Sequence, residues 1–159
     1  MNRTEHIAAL SAASAALASG DRLLLAKWSA ADWSKLLDCT SQRPFHASEV
    51  VIQRGAVDRA LHFVVAGSLE VGITQVDGVS IAPLARITPG SVIGEQSFFD
   101  GQPRSTNVWA VTDGEMLRLE YDDFVQFSET EVALARDLLF ALARVLSTRL
   151  RNTTFRVRR

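Results

Sequence analysis

Between about residue 43 and residue 120, apolar and polar positions alternate with a period of two. Phe45 and residues 50–52, 61–65, 69–73, 81–87, 91–93, 107–111 and 116–119 each read as a short strand. Gly55, Gly67 and Asp77-Gly78 punctuate the series, and Asp77-Gly78 is a hairpin signal because both residues tolerate positive φ. Short strands at this spacing predict a rolled antiparallel sheet, a jelly-roll β-barrel. On either side the period lengthens to that of a helix. Residues 4–19 are alanine-rich and predict a helix capped near Thr4, or else a flexible arm over residues 1–20. Leu23, Leu24, Leu25 and Trp28 form an apolar cluster, and Ser29 is placed to cap a short helix carrying Trp33, Leu36 and Leu37 into a core. The fold class is therefore mainly β with flanking helices.

Tyr121-Asp122-Asp123-Phe124 opens a last helical region, and residues 131–151 predict a long C-terminal helix. Val132, Ala135, Leu139, Leu142, Leu146 and Leu150 share one face, which Leu134, Leu138, Ala141 and Val145 widen to about half the circumference. So broad a face needs two things to pack against. One is the sheet. The other is a second copy of the same helix, giving a homodimer, or the N-terminal helices of a monomer. Residues 21–151 make one domain, and 152–159 a basic tail ending in a run of arginines.

The 159 residues are 47% apolar and 22% charged with a net charge of −1, so no strong field draws the chain to nucleic acid or a membrane surface. The single cysteine, Cys39, cannot form an internal disulfide; this suits a reducing, cytoplasmic compartment and reads as an inert core thiol. No run approaches the length of a membrane span. Ala8 to Gly20 is too weakly apolar for a signal peptide and follows Glu5 and His6. His6, His46 and His62 are scattered without metal-ligand spacing, and no nucleophile with a partnered base is visible, so neither a metal cofactor nor catalysis is expected.

The candidate chemistry sits in Gly94-Glu95-Gln96-Ser97-Phe98-Phe99-Asp100-Gly101-Gln102-Pro103-Arg104-Ser105. Arg104 offers a rigid fork of donors to two oxygens of a phosphate or carboxylate, and Ser105 adds a hydroxyl and an N–H. Glu95 accepts only, which suits sugar hydroxyls. The interval allows one short helical turn that aims free N–H groups at an anion. Gly101 and Pro103 then return the chain, so that Arg104 and Glu95 address one place. Pairing of Arg104 with Glu95, or a solvated loop, is the plain alternative.

This stretch resembles the phosphate-binding cassette of the cyclic nucleotide-binding domain family, which includes the catabolite activator protein and the regulatory subunits of cAMP-dependent kinase. The matching residues are Gly94-Glu95, Pro103-Arg104-Ser105, Val108 and Ala110. Gly55 to Asp58 and residues 63–71 resemble the family too, and the likeness covers roughly residues 22–151. The resemblance implies that Glu95 binds the ribose 2′-hydroxyl and Arg104 the cyclic phosphate. Gly94, Gln96, Ser105 and Thr106 would line the pocket, with amides near Ser97 and Phe98 completing the cradle. The C-terminal helix would close over the base. A gap-free carry-over puts Arg149 at a base-contacting position. On a helical wheel, Thr153 falls inside the apolar arc, and Arg149 and Asn152 lie near its edge. The alternative for these three is a solvated helix end.

The reading is a stand-alone sensor of cAMP, with cGMP not excluded by Ser105-Thr106, that acts on an effector protein without binding DNA directly. A nucleotide-independent interaction module on the same fold is the alternative.

Overall fold

The computed structural model describes residues 1–15, 20–74 and 81–157; the expected Asp77-Gly78 turn lies outside them. The helices are α1 (Arg3–Ala15), α2 (Ala30–Leu37), α3 (Glu95–Asp100), α4 (Tyr121–Thr130) and α5 (Val132–Val157). The strands are β1 (Thr40–Phe45), β2 (Val50–Ile52), β3 (Leu61–Ala66), β4 (Leu69–Thr74), β5 (Ile81–Ile87), β6 (Val92–Ile93), β7 (Asn107–Ala110) and β8 (Gly114–Leu119). They form two antiparallel sheets, ordered β1-β8-β3-β6 and β2-β7-β4-β5. The expected closed barrel is thus corrected to a roll of two four-stranded sheets. The edge strands β2 and β6 span only three and two residues, and each pairs with a single neighbour among the described strands, so no ladder joins one sheet to the other.

Strand β1 begins at Thr40, earlier than the apolar pattern suggests. It is an edge strand with only Phe45 buried, so it needs no strict alternation, and its edge position tolerates Pro44. Strand β3 is buried on both faces. Leu61, Phe63 and Val65 join the helix-side core, whereas Val64 meets Phe45, Ile52, Leu69, Ile87, Ile93, Val108 and Met116 between the sheets.

Ser29 caps α2 as expected from the sequence, in a reciprocal box with Asp32. Helix α1 is capped two residues before Thr4: Asn2 Oδ1 accepts from the Glu5 N–H while Glu5 returns to the Asn2 N–H. Ala13 of α1 lies against Gly90, where a Cβ would stand 2.0 Å from the Ala13 methyl; with φ of +91°, only glycine serves there. Helix α5 buries Ala135, Leu138, Ala141, Leu142 and Val145 against the sheet, with Leu134 partly buried. Val132, Leu139 and Leu150 of the expected broad face are exposed. The helix continues to Val157, so residues 152–157 of the expected tail are helical. Cys39 is half-buried at the rim of the core rather than within it, and burial, with Asp123 and Asp38 nearby, pushes its thiol pKa up, away from the reactive thiolate.

His62 of β3 is 1% exposed, and both its ring nitrogens lack a hydrogen-bond partner among the described residues. Burial first, then the charges of Arg118 and Arg104, lowers its pKa from 6.5 to about 3. The unfolded chain therefore takes up a proton on His62 before the folded one does. This contribution to stability is complete above about pH 6.5 and drains as pH falls toward 3. Between pH 6.5 and 5 the wild type is expected to lose about 1–2 kcal/mol more than His62→Leu, as read by urea unfolding. Parallel profiles for the two proteins would refute a neutral buried imidazole.

Candidate functional site

Strand β6 ends at Gly94, whose φ of +82° reverses the chain into α3. A Cβ on Gly94 would stand 2.5 Å from Arg104 NH1 and 2.8 Å from the Ala60 carbonyl oxygen. Glycine is required there by both conformation and space. Gly101, again left-handed, ends α3, and the chain returns to bring Arg104 back against Gly94. Arg59 braces that end of the helix by donating to the carbonyls of Phe98 and Phe99, while its guanidinium lies 3.5 Å over the Tyr121 ring.

Arg104 is only 4% exposed. Its NH1 donates to the Gly94 carbonyl at 2.9 Å, and its NH2 to the Ala60 carbonyl at 2.7 Å and to Asp58 Oδ2 at 2.9 Å. Nε is buried without a partner among the described residues. Asp58 also holds Arg118 at 3.0 Å. Burial would raise the Asp58 pKa, but the Arg104 hydrogen bond, the Ala60 N–H and the two arginine charges outweigh it and bring it down to about 2.

Glu95, at the start of α3, is buried and pairs not with Arg104 but with Arg149 of α5, Oε2 to NH1 at 2.7 Å. Arg149 also donates from Nε to Asp21 at 2.6 Å and from NH2 to the Val92 carbonyl at 2.7 Å. Burial disfavours the Arg149 charge, but Glu95 and Asp21 more than offset it and raise its pKa. Ser105 donates to Gln96 Oε1 at 2.5 Å, tying the two ends of the excursion together.

A cavity of about 200 Å³ opens between these groups. Gly94, Glu95, Gln96, Ser97, Arg104, Ser105 and Thr106 line it, and so do Arg149, Asn152 and Thr153 of α5. Phe98 does not: its side chain is buried in an edge-to-face aromatic cluster with Tyr121 and Phe124, and its N–H donates to the Gly94 carbonyl. An amide spent inside the helix is not free for a ligand. Arg149, expected from the sequence near a base, is instead committed to Glu95 and Asp21. The sequence reading missed Asp58, Asp21 and Arg156, and the apolar wall of Ile52, Val71, Leu84 and Ile87. Of these only Asp58 carried a signal, as the last residue of the Gly55–Asp58 segment that resembles the family; nothing local marks Asp21. No cluster of metal-binding side chains occurs among the described residues.

A buried guanidinium and a buried carboxylate on one slot with an apolar wall are chemically suited to a small molecule with an anionic end, hydroxyls and a flat apolar part. The family model for the cyclic nucleotide-binding domain matches residues 42–131, more than half the chain. The chain belongs to the cyclic nucleotide-binding domain family. It is 30% identical over 105 residues to the cyclic AMP receptor protein of Thermus thermophilus, covering 66% of this chain and 48% of that protein. This chain thus spans about half the length of that relative. Among solved structures it resembles a cyclic nucleotide-binding domain from Methylobacillus flagellatus, with a TM-score of 0.79 and 20% identity over 98% of this chain and 82% of that one. It also resembles the Thermus thermophilus catabolite activator protein, with a TM-score of 0.69 and 26% identity over 80% and 57% of the two chains. Among the described residues, no helix of the domain is long and apolar enough to cross a membrane.

Asp58→Asn is expected to destabilise the domain by about 1–3 kcal/mol in thermal or urea unfolding, because it leaves a buried guanidinium short of its counter-charge. A change below a few tenths of a kcal/mol would show that Asp58 does not hold Arg104.

Proposed function

We propose that this domain binds a cyclic nucleotide, cAMP in preference to cGMP, and acts as a regulatory sensor through α5. The observation that carries the reading is the one cavity lined by both Glu95 and Arg104, with Ser105 beside them. Arg104 and Ser105 take the cyclic phosphate, Glu95 the ribose 2′-hydroxyl, and the apolar wall the purine. Asn152 and Thr153 reach the base edge from α5, and Thr106 lies beside the phosphate end. The preference for cAMP draws on the relative named as a cyclic AMP receptor protein. No catalytic role is assigned. Ligand favours the state with α5 over the cavity, and that shift is passed to an effector protein in the cytoplasm by differential affinity.

A second reading, a nucleotide-independent interaction module, has one observation in its favour: Glu95 and Arg104 already hold internal partners, Arg149 and Asp58. The thermal midpoint with cAMP or cGMP separates the two. Ligand at 100-fold its dissociation constant is expected to add about 2.7 kcal/mol of stability, and no rise with either nucleotide would favour the module. In calorimetry, Arg104→Ala is expected to weaken cAMP binding by about 1.5–3 kcal/mol. Affinity equal to wild type would remove the assigned role.

The sensor is proposed to act as a homodimer through α5. Val132 and Leu139 are exposed, Leu146 is half-buried and the three recur every seven residues; exposed Ala143 and Leu150 continue the same seam. This is the spacing of a two-stranded coiled coil. Leu139→Glu with Leu150→Glu is expected to yield a monomer in sedimentation at concentrations where wild type is dimeric. A monomeric wild type at high concentration would refute the seam.

A further inference from the structure

We propose that Asp21 is a positioning residue of the nucleotide site, contributed by a segment outside the residues that the family model matches. The proposal rests on the cyclic-nucleotide reading above and concerns how Glu95 is kept available to the ribose. The three nitrogens of the Arg149 guanidinium each face a different group: Nε donates to Asp21 at 2.6 Å, NH2 donates to the Val92 carbonyl at 2.7 Å, and NH1 forms an ion pair with Glu95 Oε2 at 2.7 Å. A guanidinium facing a lone carboxylate prefers two parallel hydrogen bonds, which would occupy both carboxylate oxygens. Here Asp21 and Val92 fix the plane, so Glu95 receives one nitrogen only. Oε1 of Glu95 has no partner among the described residues, and Glu95 lines the cavity. Asp21 thereby leaves one oxygen of Glu95 open to a hydroxyl donor.

Asp21 stands on a fixed support. Two residues on, Leu23 is 1% exposed, and its N–H donates to the Gly90 carbonyl at 3.0 Å. Arg144 of α5 donates to the carbonyls of Arg22 at 3.2 Å and Gly20 at 3.3 Å. Two arginines of α5 therefore grip one short stretch of backbone and its carboxylate. Asp21 itself lines the cavity. The stretch comes from the N-terminal side of the domain, so the site depends on a part of the chain remote from the cassette in sequence.

The test is a double-mutant cycle by calorimetry with cAMP on the full chain, using Asp21→Asn, Arg149→Gln and the double variant, with Asp21→Glu as the conservative control. Asp21→Asn is expected to weaken cAMP about fivefold to tenfold, while Asp21→Glu stays within about threefold of wild type. In the Arg149→Gln background, Asp21→Asn is expected to change affinity less than twofold, because its only route to the ligand is gone. Unchanged or tighter binding by Asp21→Asn overturns the proposal. So does an equal loss in both backgrounds, or an Asp21→Glu protein as weak as Asp21→Asn. A wild type that binds neither cAMP nor cGMP overturns the functional reading and this assignment together. A wild type that binds, with Asp21→Asn as its equal, overturns the assignment alone.

Discussion

Arg104 is a cation enclosed by protein, and its environment is organised to answer that charge. Two backbone carbonyls, Gly94 and Ala60, and one carboxylate, Asp58, take its hydrogen bonds. Those acceptors come from the end of β6, the start of β3 and the loop before β3. Satisfying the guanidinium therefore fixes how the segments meet. The contact with Gly94 is so close that no side chain fits between, which places the start of α3, and with it Glu95, at a set distance from the cation. One buried charge thus positions both ends of the cavity.

The opposite wall is built from charge as well. Arg149 draws α5 onto Glu95 and at the same time onto the segment around Asp21. A helix that buries only Ala135, Leu138, Ala141, Leu142 and Val145 against the sheet would otherwise be held apolarly along its first half alone. The ion pairs extend that hold by another turn, over the cavity. Partly exposed ion pairs are weaker than apolar packing, so this end of α5 is held less firmly than the half that packs on the core.

Much of the architecture was legible in the residues themselves. The alternation in β4 and β7 and the apolar run of β3 announce strands, and the Ser29 and Asp32 box announces α2. The spacing of Glu95 and Arg104 around Gly101 and Pro103 announces the excursion between β6 and β7. Strand β1 was only partly legible because an exposed edge strand needs no alternation. The partner of Glu95 was not legible at all: Arg149 lies far along the chain, and its wheel position suited a base contact equally well. The Phe98 amide, expected in the cradle, donates instead to the Gly94 carbonyl inside α3, a commitment that the residue types of the motif do not announce.

The sequence alone determined the local rules of this protein: where most strands and helices form, where the chain turns, and which residue types could grip an anion and a hydroxyl. These follow from short-range sterics and periodicity, which act between neighbours in the chain. Only the tertiary structure decided which charges meet. Asp58 rather than Glu95 answers Arg104, Arg149 bridges Glu95 to Asp21, and two open sheets replace a closed ring. Those outcomes depend on distances between segments far apart in sequence. Such distances are set by burying apolar faces and satisfying enclosed charges together, a condition that no local pattern encodes.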